Sequence, residues 1–262
     1  MSGEFAKAAN QANDRPMSSS DNAARAPDTH EALTESPPQT AAAVAAASLP
    51  ATSQADLAAH LAGRLCHDLI SPVSAIVSGL DLLDDPSAQD MREDAMNLIA
   101  QSSRKLAAVL SFARVAYGSS TSAETFDPRD LEALTKGIFS HVRAQLDWAV
   151  GEERLHKSIA RALMNLAQLG ATALPTGGTA RLTLRRDGED IIAELNAQGP
   201  RARLRPEAQE GLRWEPPTEG LSGQWVQPYY LASLVKDAGG RIDSELSEDL
   251  VRVTVTLPFE AL

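Results

Sequence analysis

The chain is nearly devoid of cysteine. One thiol, Cys66, occurs in 262 residues. That excludes a disulfide framework and a multi-cysteine metal site within one chain, and it fits a reducing compartment. Cys66 reads as buried filler rather than as a reactive thiol. Long apolar runs are missing as well: no stretch of about 18 consecutive apolar residues reads as a membrane span. The first thirty residues carry no apolar signal core, so the expected location is the cytoplasm, without a membrane partner. Positive charge is in short supply. Lys and Arg number 24 against 35 Asp and Glu, a formal net charge of −11. This balance argues against non-specific nucleic-acid binding, which needs basic patches. Finally, residues 1–50 hold few large apolar side chains, such as Phe5, Leu33 and Val44, among many Ala, Ser, Pro, Asp and Asn. Such a composition does not offset the entropy of ordering, and residues 1–52 are read as a disordered tail.

What the chain does have is apolar content of 43%, enough for one or two domains with real cores. Leu57, Leu61, Leu65, Leu69, Val73, Ile76, Leu80 and Leu83 recur at spacings of three and four, the pattern of an amphipathic helix. Ser53 is placed to cap it, with Asp56 in the first turn. The helix runs to about Leu83, and Asp84-Asp85-Pro86-Ser87 makes a turn. A second helix follows over about 88–117, with Gly118 as its stop. Two long amphipathic helices joined by a short turn form an antiparallel hairpin. Two helices alone bury poorly, so a second copy is expected to complete a dimeric four-helix bundle over residues 53–118.

After a small-residue linker the pattern becomes mixed, which sets the fold class as α+β. Asp127-Pro128 starts a helix over about 128–143, and Leu146–Val150 is a short strand. Glu152–Leu169 is a helix with an apolar stripe. Thr179–Arg185 and Asp190–Leu195 alternate around the turn Asp187-Gly188. Residues 197–227 lack periodicity and are read as irregular, and Pro228–Ala238 is helical. Gly240–Leu246 and Leu250–Pro258 form a closing hairpin near Ser247-Glu248-Asp249. Residues 124–262 thus predict an α/β sandwich with helices over one face of a sheet.

Within the first helix, His67 falls roughly 180° from the centre of the apolar stripe at about 100° per residue. His60, Arg64, Ser71, Ser74, Ser78 and Asp81 share that polar face. An imidazole in water is partly neutral at physiological pH, and a neutral ring nitrogen can attack phosphorus and carry a covalent intermediate. Arg64, one turn earlier, is placed to pair with a phosphoryl oxygen. Asp68 is placed to orient the ring or hold its proton. Most histidines on a solvated helix face are only polar surface. Here the string His67-Asp68-Leu69-Ile70-Ser71-Pro72 sets this one apart, because a proline inside a long helix removes a backbone donor and costs about 3 kcal/mol.

That string resembles the phospho-acceptor motif of sensor histidine kinases, and the run from Leu61 to Leu83 is similar to the ChpT-type histidine phosphotransferases. The resemblance covers roughly residues 55–262. It implies a dimerising hairpin followed by a degenerate domain like the ATP-binding domain of histidine kinases. Ala238-Gly239-Gly240-Arg241-Ile242 and Thr254–Pro258 resemble that domain's closing turn and strand, and Asn165-Leu166 resembles the start of its asparagine motif. Its metal-binding asparagine would fall near Leu169, and leucine cannot hold Mg²⁺. Its adenine motif appears as Asn196-Ala197-Gln198-Gly199-Pro200, without the required glycines. Its phosphate loop is reduced to Gly220-Leu221-Ser222-Gly223. Gly177-Gly178 is not followed by Gly-Lys-Ser/Thr and reads as a turn. His141 and His156 have no ligand partners at metal spacing.

By resemblance, the expected function is a phosphorelay step. His67, with Asp68 and Arg64 beside it, would take phosphate from the receiver aspartate of a CckA-like hybrid kinase. It would pass it to CtrA-like and CpdR-like response regulators of the cell cycle. The resemblance implies no cofactor of the chain's own, with Mg²⁺ supplied by the receiver. Two alternatives stand beside it: an ATP-dependent histidine kinase, and a non-catalytic dimeric scaffold that binds receivers.

Overall fold

The computed structural model describes residues 52–118, 123–151, 153–215 and 223–259. The expectation for the N-terminal tail therefore lies outside the described residues. The described residues gather into one compact unit.

Helix α1 (Gln54–Asp84) opens on Ser53, whose Oγ accepts the Asp56 N–H at 3.1 Å and so satisfies a first-turn donor. At the far end the Asp85 carboxylate accepts both the Ser87 hydroxyl at 2.7 Å and the Ser87 N–H at 2.8 Å. The hydroxyl first, then the N–H, hold the Asp85 carboxyl below its ordinary range. A 3₁₀ turn over Gln89–Met91 precedes α2 (Arg92–Ala116). The second helix thus begins later than its periodicity predicts, because the tighter turn carries the same apolar spacing. Gly79 lets the two helices close up: a Cβ there would stand 2.6 Å from Ile99 Cγ1 and 3.1 Å from the Ala95 carbonyl oxygen.

The apolar stripe of α1 serves two surfaces. Leu57 and Leu61 pack on the buried cluster of Trp225, Val226 and Tyr229. Cys66, expected to be buried, is exposed, because it lies roughly 90° round the helix from the centre of the stripe. Val73 and Leu80, read from sequence as stripe residues, are 44% and 48% exposed and lie in a row with exposed Ile70 and Val77. Among the described residues α1 is the one helix long and apolar enough to cross a membrane, with a mean hydropathy of 1.2 over 18 residues.

In the second half, β1 (Thr125–Phe126) pairs antiparallel with β3 (Leu155–His156). Neither strand is foreseen in the sequence. Helix α3 (Pro128–Phe139) starts as expected, with Asp127 Oδ1 accepting the Arg129 N–H at 2.9 Å. It stops before Arg143 because the chain turns into β2 (Ala144–Ala149), which pairs parallel with β4 (Gly178–Asp187). Helix α4 (Lys157–Ala173) starts later than Glu152 because Leu155–His156 are recruited into the pairing with β1, leaving His156 at the cap. β5 (Asp190–Gln198) follows β4 across the expected turn. The segment read as irregular contains α5 (Pro206–Leu212), and α6 (Gly223–Asp237) begins ahead of the Pro228 taken as its start. The short α5 is held by tertiary packing: a Cβ at Gly211 would meet the Trp225 carbonyl oxygen at 2.7 Å. β6 (Arg241–Ser247) and β7 (Leu250–Pro258) form the closing hairpin.

The sheet order is β2-β4-β5-β7-β6, with β2 and β4 parallel and the rest antiparallel. Inward residues such as Leu182, Leu195, Val253 and Val255 share one core with Ile159, Leu163 and Leu166 of α4. The other face carries polar ladders: Arg252 to Asn196 and to Glu245, each at 2.9 Å, and Arg181 to Asp147 at 3.1 Å. The fold is α+β, a helical hairpin followed by a sheet with its helices on one face.

Candidate phosphotransfer site

His67 stands on α1 with 87% of its side chain exposed. Its Nδ1 lies 3.3 Å from Asp68 Oδ1. The other oxygen of that carboxylate, Oδ2, accepts from Arg64 Nε at 3.3 Å. Arg64 is only 14% exposed, and its terminal nitrogen also donates to the Gly223 carbonyl oxygen at the start of α6. The three residues singled out in the sequence are therefore in contact: imidazole outermost, carboxylate next, guanidinium innermost. Pro72 is buried one turn beyond. It has no N–H to offer the Asp68 carbonyl, so the backbone around the pair is relieved of one helical bond.

A cavity of about 310 Å³ opens beside His67. Leu65, Val109, Phe112, Ala113, Ile138 and Val142 give it an apolar lining, and His67, Asp68, Arg64, Ser71, Lys105 and His141 give it polar groups. Tyr117 and Gln168 also line it and bond to each other, the phenol donating to Oε1. Burial pushes the Tyr117 phenol well above its ordinary value, with the Arg64 charge pulling the other way. His141 is held below its usual value, first by desolvation and then by the Lys105 charge. Sequence reasoning missed Lys105, Tyr117, His141 and Gln168. They come from α2 and the residue that follows it, from α4 and from the chain after α3, and only the fold brings them to the imidazole.

The hairpin is sewn to the sandwich below this cavity. Asn165, fully buried on α4, donates to the Ala116 carbonyl at 3.2 Å and to the Arg161 carbonyl at 2.9 Å. Gln227 of α6 donates to the Asn165 carbonyl and side-chain oxygens at 2.9 and 3.1 Å. Arg161 donates to the Gly118 carbonyl, and the Tyr117 ring meets Tyr230 edge-on at 5.5 Å. The residue that resembles the start of an asparagine motif is thus spent on joining three helices. Leu169 is 1% exposed in the core. Asn196 lies on the polar face of the sheet, between Glu194 and Arg252. Ala202, Leu204 and Leu212, from the segment after β5, complete the core cluster that includes Leu169, Ala173 and Leu174. Of the reduced phosphate loop, residues 220–222 lie outside the described residues. Among the described residues no group of three or more His, Cys, Asp or Glu is placed to hold a metal ion.

Comparison with known proteins shows the family. The model of the histidine phosphotransferase C-terminal domain matches residues 128–250, a span that begins after the hairpin. The protein phosphotransferase ChpT of Brucella abortus (strain 2308) is 36% identical over 207 residues, 78% of this chain and 98% of that one. A bacterial phosphotransferase solved at 1.7 Å superposes with a TM-score of 0.70 and 31% identity, covering 78% of this chain and 97% of that one. The nucleotide-free catalytic domain of the histidine kinase ThkA gives a TM-score of 0.41 at 16% identity over 53% of this chain. The chain belongs to the histidine phosphotransferase family.

Proposed function

We propose that the chain relays phosphate through His67. The Nε2 lone pair would attack the phosphorus of an aspartyl phosphate on a receiver domain, and the aspartate carboxylate would leave with the electron pair. A second receiver's carboxylate would then take the phosphoryl group and return the neutral ring. The observation that carries this reading is an almost fully exposed imidazole whose Nδ1 faces a carboxylate. Asp68 would offset the positive charge the ring acquires, and Arg64 holds the other oxygen of that carboxylate. Phosphoryl transfer depends chiefly on positioning and charge compensation, so little further apparatus is needed, and the divalent cation would be the receiver's.

The donor in this reading is a hybrid histidine kinase receiver of the CckA type. The acceptors are response regulators of the CtrA and CpdR types that act in the cell cycle, in the cytoplasm. A second copy would cover the exposed apolar row of α1. The buried roles of Asn165 and Leu169 favour this reading over an ATP-dependent kinase. The test is to mix the chain with a phosphorylated receiver and Mg²⁺ and then add a second receiver. Label should pass through wild type and stop with His67→Ala. A mutant that still transfers would sink the proposal, and labelling of His67 by ATP alone would restore the kinase reading.

A further inference from the structure

The Asp68 carboxylate does not stand alone. One oxygen faces His67 Nδ1 and the other is held by Arg64, which also reaches the Gly223 carbonyl in the first turn of α6. Residues 64, 67 and 68 are local, but Gly223 is far along the chain. A guanidinium that is only 14% exposed needs acceptors on more than one side to offset its desolvation. Here it finds one on its own helix and one on the sandwich. The α6 end of this link is fixed, because Trp225, Val226 and Tyr229 are buried against Leu57 and Leu61 of α1.

We propose that α6, through Arg64, sets the tautomer of the phospho-accepting imidazole. Arg64 is then a positioning residue. It clamps the Asp68 carboxylate where it accepts the Nδ1 proton, which leaves the Nε2 lone pair outward. Which ring nitrogen carries the proton is decided by the bond the other one makes, and an imidazole free in water prefers the proton on Nε2, the wrong form for attack. In the transfer step the Nε2–P bond forms, the P–O bond to the donor carboxylate breaks, and the Nδ1 proton stays between ring and Asp68. The second domain thus acts on the chemistry by holding one carbonyl in place. The inference rests on the reading of His67 as the acceptor.

The test uses the full chain with ¹⁵N-labelled histidine. Long-range ¹H–¹⁵N spectra report the His67 tautomer above the pH of ring titration, and phosphoramidate, which phosphorylates imidazoles directly with loss of ammonia, reports Nε2 reactivity without a partner. Wild type should show mainly the Nδ1–H form. Arg64→Ala should move the population toward Nε2–H and slow the reaction by about tenfold or more. Arg64→Lys keeps a charge beside the ring but cannot span both partners, so it should shift the same way. If the alanine variant fails to fold, the lysine variant decides. An unchanged tautomer in the variant, or a wild type already in the Nε2–H form, would overturn the proposal. A normal tautomer shift with no transfer between receivers would instead count against the phosphorelay reading alone.

Discussion

At the scale of residues, three side chains in contact differ sharply in burial. His67 is in water, Asp68 is partly covered, and Arg64 is nearly enclosed. In the proposed relay, the carboxylate beside Nδ1 would stabilise the imidazolium-like ring formed on phosphorylation. Asp68→Asn keeps an acceptor of the same shape but removes that charge. Transfer from a phosphorylated receiver should slow by about 10- to 100-fold, with little change in the receiver's affinity, as read by single-turnover labelling at varied receiver concentration. Loss of affinity with an unchanged maximal rate would make Asp68 a docking group. The adjacency of His67 and Asp68 to Arg64 was legible in the sequence, since spacings of three and four residues place both beside it on a helix. The direction in which Arg64 turns was not, because its second partner is a main-chain carbonyl supplied by the other half of the molecule. The cavity groups Lys105, Tyr117, His141 and Gln168 were equally out of reach, having no local signal that ties them to His67.

At the scale of elements, helix starts marked by a side-chain cap could be read directly, as at Ser53 and Asp127. Elements made by tertiary pairing could not: β1 and β3 exist only through each other, and α5 is held by packing on α6. The turn of the hairpin offers a test through pH. Its Asp85 carboxyl sits below its ordinary range because of the Ser87 hydroxyl and N–H. A carboxyl lowered by folding contributes stability above its unfolded value, and that contribution is lost as pH falls through the folded value. Ser87→Ala removes the larger of the two bonds. The variant should therefore be less stable than wild type to urea at pH 7, and the gap should close toward pH 3. A gap of the same size at both values would assign the effect of Ser87 to something other than Asp85.

At the scale of the whole molecule, the sequence pointed correctly to a hairpin followed by a one-faced sandwich, and to an apolar stripe needing cover. It did not show that the stripe divides, with Leu57 and Leu61 going to α6 while Val73 and Leu80 stay open beside Ile70 and Val77. At about 100° per residue, that open row lies roughly 60° to 140° round α1 from His67. A second copy seated on it would leave the imidazole free. A charge there is costly to bury without a partner, so Val77→Glu should shift the chain from dimer to monomer in sedimentation equilibrium while its circular dichroism is kept. A wild type that sediments as a monomer would remove the bundle from the account. The buried bonds through Asn165, Gln227 and Tyr117 make the hairpin and sandwich one body, which suits a relay whose second domain supports the acceptor.

The most direct measurement is to locate the phosphate. Wild-type chain, labelled by a phosphorylated receiver with Mg²⁺ and digested under alkaline conditions, should yield one acid-labile phosphopeptide. The account predicts that its label sits on His67, attached at Nε2. Phosphate on any other residue, or no label on a folded chain with a receiver proven to be charged, would contradict it.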